Sequence, residues 1–476
     1  MLWVLAPVLA FVALVCWGIS SPVGSSPDDD FHLPSIWCGL GDRGGLCEPT
    51  GDPDTRLVPA SIVGEACFAR DSTESGACWD AGSSELAETD RVNTEPLYPP
   101  LFYGAMSVFA SEDVVASVLV MRIVNSALFV GFVTAVAWAL PAAVRRTAVV
   151  PFVVTVVPLG MFIVPSTNAS SWALLSGGTL WVALFGATKT RGRRRWTLLG
   201  LAIVAALLGA GARADAAAYG VLAVMVVVIL TARRRRELVP VYAVAAAIVA
   251  FCVVFFFWGR QSAAATSGLP TDGGTLTAWQ HVDNLLENPS LWTGMFGGWG
   301  LGWFDTPLPA SVSVLVFAVF VMAAALGLRV LTLRKTLAAL LVFAALWLVP
   351  FVLLWQSRAL VGTHVQPRYI LPLAVLLVGV LLLGVRDVGG RAARGPALTG
   401  IAMLVFANAV ALHVELNRYT LGLDRKTFVP GKDAEWWWSS SPVWPVWAIG
   451  VLAFAGALVA LYLATVTRGR ERALPR

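Results

Sequence analysis

The chain has 476 residues, of which 57% are hydrophobic and 13% charged, and its mean hydropathy is +0.74. A soluble protein of two or three domains carries more charge and fewer apolar residues, so these values exclude that class and indicate a polytopic membrane protein. The net charge of +5 does not indicate nucleic-acid binding, because the lysines and arginines form short blocks between apolar runs, where they are typical topology signals.

Apolar runs long enough to cross about 30 Å of hydrocarbon recur along the chain. They predict an all-α polytopic membrane protein with about twelve transmembrane helices. The runs lie near residues 2–19, 114–140, 147–165, 170–188, 196–212, 216–232, 238–258, 310–330, 335–355, 369–385, 397–413 and 445–466. The first run has no basic n-region and no convincing cleavage motif before Ser20, so we expect a retained helix, with a cleaved signal peptide as the alternative.

Basic blocks alternate with the spans and predict the orientation of the chain. They are Arg145 with Arg146, 189–195, 233–236, 329–335, 386–395 and the tail 468–472. The positive-inside rule places all of them, and both termini, in the cytoplasm of a multi-pass plasma-membrane protein. The predicted organisation is a first transmembrane helix (1–19), an external loop (20–113), transmembrane helices (114–258), an external Trp/Gly-rich loop (259–309), further transmembrane helices (310–413), an external loop (414–444) and a last helix with a basic tail (445–476).

Four of the six cysteines, Cys38, Cys47, Cys67 and Cys78, lie in the first external loop. Four cysteines outside the cytoplasm indicate two disulfides, for which three pairings exist. The shortest loops favour Cys38–Cys47 and Cys67–Cys78. A zinc site is the alternative, but no Cys-x2-Cys spacing occurs and the chain has only four histidines.

Two aromatic segments are expected at the membrane surface. Residues 95–110, "EPLYPPLFYGAMSVFA", predict a helix lying along that surface, and 288–309 is similar, with Trp292, Trp299 and Trp303 among glycines. Interfacial anchoring is the simpler interpretation of those tryptophans. Between two spans, the turn at 212–219 carries Arg213 and Asp215, which are a candidate site or a simple ion pair.

The segment "PDDDFH" (27–32) follows the first span directly. A solvated acidic turn is the simplest interpretation. However, several carboxylates crowded at a helix exit must perturb one another's proton affinities, which is typical of a functional site.

Pro27-Asp28-Asp29 followed by His32 resembles the Pro-Asp-Glu-x-x-His motif after the first helix of a bacterial family of uncharacterised multi-pass proteins. That family is grouped with the GT-C glycosyltransferases, which use polyprenyl-phosphate sugars on the outer face of the membrane. Three later segments resemble the family in the same order: "PLYPPLFY" (96–103), "GGWGLGWFDTPLP" (297–309) and "VQPRYILPL" (365–373). Asp29 stands where the family has Glu, and Pro367 where it has Gly.

The resemblance implies an inverting glycosyltransferase that moves a monosaccharide from a polyprenyl-phosphate donor to an envelope glycan, glycolipid or glycoprotein. An acceptor hydroxyl then needs a base within about 3 Å of its proton. Asp28 is the expected base, with Asp29 positioning the acceptor or a metal. His32 is expected either to orient both aspartates or to be a structural histidine. No cofactor is certain, and a divalent metal is possible.

Arginine suits the carrier phosphate because its planar guanidinium binds oxygens in pairs. Arg368, beside Tyr369 at the start of a span, is the first choice, with snorkelling to the interface as its alternative. The other expected substrate-binding residues are Arg122, Arg213, Asp215, Trp303 and Asp305.

Two other functions fit the same chain. A transporter or flippase of lipid-linked saccharides would also need about twelve spans and intramembrane arginines. A non-catalytic envelope scaffold would use the disulfide-bonded loop to bind a partner. Use of a soluble nucleotide sugar is disfavoured, because no glycine-rich phosphate loop follows a predicted strand.

Overall fold

The computed structural model describes residues 2–82, 85–233, 236–263, 267–268, 274–385, 391–438 and 443–471. Parts of three predicted cytoplasmic blocks, 234–235, 386–390 and 472–476, lie outside the described residues.

The described chain is built mainly of α-helices. They are α1 (Leu2–Ile19), α2 (Asp29–Trp37), α3 (Pro100–Ser107), α4 (Val114–Ala139), α5 (Arg146–Thr155), α6 (Leu159–Ile163), α7 (Ser170–Thr188), α8 (Gly192–Ala210), α9 (Ala214–Thr231), α10 (Val239–Trp258), α11 (Ala278–Thr293), α12 (Ala310–Leu328), α13 (Leu333–Gln356), α14 (Pro367–Leu381), α15 (Arg391–Leu421) and α16 (Val443–Glu471). Three short strands, β1 (Glu48–Pro49), β2 (Arg56–Pro59) and β3 (Leu86–Thr89), pair antiparallel in the order β1-β2-β3.

Nine of the described helices are long and apolar enough to span a membrane: α1, α4, α7, α9, α10, α12, α13, α15 and α16. The chain is therefore a multi-pass membrane protein, but the predicted count of about twelve is not reached. The run 147–165 divides into α5 and α6 around Pro158, a residue that interrupts helices. Two other predicted spans are not among the nine: α8 has three consecutive arginines in its first turn, and α14 has only 15 residues.

α7 and α14 form the centre of the helical bundle. Every residue of α14 except Tyr369 is buried, as is nearly all of α7. The two helices approach closely at Gly177, where a Cβ would lie 2.6 Å from the Cβ of Pro372. Because Pro372 follows Arg368 by one helical turn, this contact also fixes the start of α14.

The helix connections meet in two groups, one at each end of the bundle. Around the first loop, the amide of Arg260 donates to the carbonyl of Pro96 (2.9 Å), and the indole of Trp438 donates to that of Ile19 (2.7 Å). At the other end, Arg191 pairs with Glu237 (2.7 Å) and Arg334 donates to the carbonyl of Ala232 (3.0 Å). These two contacts bring Arg191 and Arg334, from two of the basic segments, to the connection that follows α9.

The segment 20–113 forms a small folded unit on the bundle. It contains α2, α3, the three strands and both predicted disulfides, Cys38–Cys47 and Cys67–Cys78. The helix predicted within 95–110 is α3. It does more than lie along a surface, because Phe102, Tyr103 and Met106 are buried in a hydrophobic cluster with residues of α2. The three short strands were not part of the predicted all-α fold, which otherwise describes the helical bundle.

One helix extends beyond the apolar run from which its span was predicted. Span 397–413 and loop 414–444 divide the chain at 413, whereas α15 continues to Leu421. Glu415 and Arg418 are therefore helical and buried, with no exposed side-chain surface. They are not loop residues.

Reduction of the disulfides should loosen the first loop more than the bundle. Closing such short loops contributes on the order of 2–4 kcal/mol to a domain. Thiol-specific labelling with mass spectrometry should find Cys38, Cys47, Cys67 and Cys78 blocked, while Cys16 and Cys252 label only after denaturation because both are buried. Four free thiols in the loop of correctly localised protein would contradict the pairing.

Candidate functional site

The acidic turn places Asp28 at the N-terminus of α2, with its carboxylate not bonded to the helix. Asp28 adopts a left-handed backbone (φ 62°), which aspartate tolerates better than most residues. Its carbonyl accepts the amide of His32 (2.8 Å) and begins the helix, but its side chain makes no capping bond. Asn168 holds the preceding residue by donating from Nδ2 to the carbonyl of Pro27 (2.9 Å).

The carboxylate of Asp28 forms an ion pair with Arg368 on α14. Nη2 of Arg368 makes that bond, while Nε and Nη1 are buried without a partner in the described part of the chain. The Arg368 side chain is 3% exposed and that of Asp28 is 32% exposed. A buried guanidinium with two unused donors is suited to an anionic ligand such as a phosphate.

A narrow cleft of about 10 Å³ lies beside this pair. Its walls come from the acidic turn, α6, the 294–304 turn and the start of α14, and include Pro27, Leu159, Phe162, Phe304 and Arg368. Because the space holds about one water molecule, admitting a phosphate requires the cleft to widen.

Arg213 adds a second cation next to Arg368. It forms a two-point ion pair with Asp215 (2.9 and 2.8 Å), as the simpler interpretation of that turn predicted. Its guanidinium also lies 4.8 Å from the ring centre of Tyr369, and that of Arg368 lies 5.3 Å from the same ring. The two guanidiniums therefore share one aromatic ring, and their positive potential extends over the start of α14.

The three aspartates have three different sets of partners. Asp28 pairs with Arg368, Asp29 accepts from Thr167 Oγ1 (2.8 Å) and the amide of Ser26 (3.0 Å), and Asp30 pairs with Arg91 (2.7 Å). Burial opposes ionisation of Asp28, but Arg368 outweighs it and holds the pKa of this carboxyl below its usual value. Burial raises the pKa of Asp29 to about 7, although nearby Arg122 and the two hydrogen bonds favour its charged form.

His32 lies in an aromatic cluster, a placement that differs from the predicted role of orienting the aspartates. Its Nδ1 is 2.8 Å from the hydroxyl of Tyr103, and the rings of Tyr98 and Tyr103 pack around it. Burial lowers the pKa of His32 to about 3, so the imidazole is neutral at physiological pH. Its Nε2 has no partner among the described residues.

Arg122 supports the turn and makes no hydrogen bond to the aspartates. It donates to the carbonyls of Gly18 (2.8 Å), Ser21 (2.6 Å) and Pro22 (2.7 Å). These are the orphan carbonyls at the end of α1 and in the turn after it.

Trp303 and Asp305 also have structural partners. The indole of Trp303 donates to the carbonyl of Gly24 (2.9 Å), and Asp305 forms a fully buried ion pair with Arg418 (2.9 Å). Arg418 in turn donates to the carbonyls of Phe68 (2.7 Å) and Asp71 (2.8 Å). These residues join the second disulfide region to the bundle, so their hydrogen bonds position the chain around the acidic turn.

The three aspartates do not form a ready three-ligand metal site. Within the described ranges, no group of three or more His, Cys, Asp or Glu side chains is placed to hold an ion. Asp28, Asp29 and Asp30 are each engaged by a different donor, and we derive no step through a metal.

Several residues of this region were not singled out from the sequence: Thr167, Arg91, Tyr98, Tyr103, Asn168 and Arg418. The tyrosines lie in the segment 96–103, whose resemblance to the family was the available signal. Thr167, Arg91 and Asn168 come from distant loops, and only the fold brings them to the turn.

The carboxyl of Asp29 should titrate near pH 7. Infrared difference spectra between pH 5 and 9 should show a protonated carboxyl band that Asp29→Asn removes. Thr167→Val deletes a hydrogen bond to the ionised form, so the midpoint of this band should move to higher pH. A midpoint near pH 4 in the unmodified protein would contradict the burial of this group.

The comparisons with known proteins place the chain in one family. A family model described as "Predicted membrane protein (DUF2142)" matches residues 11–377, a stretch that includes both Asp28 and Arg368. No curated protein and no solved structure matches the chain. Since the model covers more than three quarters of the 476 residues, the chain belongs to the DUF2142 family of predicted membrane proteins.

Proposed function

We propose that the protein is an inverting membrane glycosyltransferase that transfers a monosaccharide from a polyprenyl-phosphate carrier to an acceptor of the cell envelope. The observation that carries this proposal is the pair of Asp28 and Arg368. It combines a partly exposed carboxylate with a buried guanidinium that retains two free donors. A general base and a phosphate ligand side by side are what the reaction requires.

The reaction is a single displacement. The acceptor hydroxyl attacks the anomeric carbon, its proton passes to the carboxylate of Asp28, and the bond from that carbon to the phosphate oxygen breaks. Arg368, with the positive potential of Arg213 behind it, stabilises the polyprenyl phosphate as it leaves. The lowered pKa of Asp28 keeps this carboxylate ionised at neutral pH, which is the form that a proton acceptor must have.

An apolar groove offers a place for the carrier's hydrocarbon chain. It has a volume of about 150 Å³ and is lined by side chains of α1, α4, α5, α6 and α16, such as Leu14, Phe129 and Met161. α6 contributes to both spaces, with Gly160 and Met161 in the groove and Leu159 and Phe162 in the cleft. A carrier with its chain in the groove would have its phosphate near α6.

The proposal includes the orientation derived from the basic blocks. The acidic turn faces the outside of the plasma membrane, and both termini and residues 189–195 face the cytoplasm. Single cysteines introduced at exposed Arg193 and Asp52 should react with an impermeant thiol reagent from opposite sides of sealed vesicles. Labelling of position 193 from the outside would reverse the orientation.

Asp28→Asn should reduce the transfer rate by a factor of roughly 10² to 10⁴, because the amide cannot accept the proton. Asparagine also tolerates the left-handed backbone, so the turn should keep its shape. Purified protein is supplied with polyprenyl-phosphate sugars and candidate acceptors, and Asp52→Asn, on an exposed turn, is the matched control. Full transfer by Asp28→Asn and by Asp29→Asn would remove catalysis from the turn. Transport of the lipid-linked sugar without any new glycosidic bond would favour the transporter.

Arg368→Lys should weaken donor binding by roughly ten-fold or more while the bundle stays folded. Lysine keeps the charge but has one nitrogen where arginine has three, so it cannot hold Asp28 and a phosphate in the same geometry. Donor affinity is measured with the lipid-linked sugar, and Arg260→Lys, an exposed pair with Glu95 at the same end of the bundle, is the control. Unchanged affinity and turnover in Arg368→Ala would exclude this residue from the site.

A further inference from the structure

A second pocket, of about 200 Å³, borders the acidic turn. Gly24, Asp29 and Asp30 line it, together with residues 60–67 and 78–80 of the disulfide region. The narrow cleft beside Arg368 instead includes Pro27. The segment from Gly24 to Asp30 therefore lines both the pocket and the cleft. Asp28 lies between Pro27, which lines the cleft, and Asp29, which lines the pocket.

Asp30 gives this pocket an unused hydrogen-bond acceptor. Its Oδ2 pairs with Arg91 at 2.7 Å, whereas its Oδ1 has no partner among the described residues, although only 7% of Asp30 is exposed. A buried carboxylate oxygen without a donor is unfavourable, and a ligand hydroxyl would satisfy it. The hydroxyl of Ser61, also in the wall, lacks a partner as well.

The side chains of the pocket lining disfavour an anionic ligand. Carboxylates of Asp29, Asp30, Glu65 and Asp80 line it, and the described lining contains no lysine or arginine. Arg91 and Arg70, outside the lining, pair with Asp30 and Glu65, so two of these negative charges are balanced. A phosphate or a carboxylate would be repelled there. This distribution is the reverse of that in the cleft beside Arg368.

Trp79 supplies a flat apolar wall. Its indole N–H donates to the carbonyl of Ser61 (3.0 Å), which fixes the ring in the pocket lining. An aromatic face beside hydrogen-bonding oxygens suits a molecule with both C–H faces and hydroxyls.

We infer that this pocket binds a neutral, hydroxyl-rich saccharide, one of whose hydroxyls donates to Oδ1 of Asp30. The inference rests on the proposed function in one respect: the saccharide is the acceptor, bound across the acidic turn from the carrier phosphate. The opposite charge of the two spaces then separates the neutral acceptor from the anionic donor.

The test measures binding without any donor. Full-length protein in lipid nanodiscs is titrated with methyl glycosides of neutral hexoses and pentoses, and binding is followed by saturation-transfer NMR. In Asp30→Asn the amide oxygen should face Arg91, so the NH₂ group takes the place of Oδ1 and turns an acceptor into a donor. Affinity for the best-binding glycoside should fall roughly ten-fold or more.

Two control variants separate this role from a structural one. Arg91→Gln removes the ion pair and leaves Asp30 in the wall, and Glu88→Gln removes a carboxylate of the neighbouring strand outside the pocket. Both should bind the glycoside with unchanged affinity. Equal binding by Asp30→Asn and unmodified protein, equal loss in Arg91→Gln, or tighter binding of the methyl glycosides of glucuronic acid or glucosamine would overturn the inference.

The assay also separates this inference from the proposed function. Binding that depends on Asp30 in a protein that makes no glycosidic bond would support a saccharide pocket and refute the transferase. Transfer that depends on Asp28, with acceptor binding and acceptor KM unaffected by Asp30→Asn, would support the transferase and refute the pocket.

Discussion

The ion pair between Asp28 and Arg368 joins the turn after the first helix to a helix 340 residues later in the chain. The positions of both partners are constrained. Asp28 has a left-handed backbone, and Arg368 lies in the first turn of α14, which is held by the contact of Pro372 with Gly177. A buried guanidinium needs this carboxylate, because an unpaired charge at that depth is costly. The site therefore exists only when the first loop and the centre of the bundle are assembled together.

The parts of this architecture that follow a local rule could be predicted from the sequence. Hydropathy located every major apolar helix, and cysteine spacing gave both disulfide pairs. The failures have physical reasons. A hydropathy window ends a span where polar residues begin, so it stopped α15 before Glu415 and Arg418, although buried partners keep that last turn helical. It also ran through Pro158, where α5 gives way to α6.

Individual side-chain roles were harder to predict than their location. Asp28, Arg368, Arg213 and Tyr369 come together, but the ion pair between Asp28 and Arg368 was not predicted from the sequence. Arg122 was expected at the substrate from its depth in a span, and Trp303 and Asp305 from the resemblance of 297–309 to the family. The structure gives all three hydrogen-bond partners within the chain that no residue type reveals, because the partners of Arg122 and Trp303 depend on which backbone carbonyls the fold leaves unsatisfied.

The contacts of Arg122 and Arg418 determine which substitutions the neighbouring loops can accept. Each binds a set of main-chain carbonyls, those of residues 18–22 and of residues 68–74 respectively. A carbonyl is present whatever the side chain, so the loops around these arginines can accumulate substitutions while their paths are preserved. The two arginines themselves cannot be exchanged for lysine without loss, since their contacts are divided between two guanidinium nitrogens and a lysine has only one nitrogen. Surface variation in relatives is thus compatible with an unchanged geometry at the acidic turn.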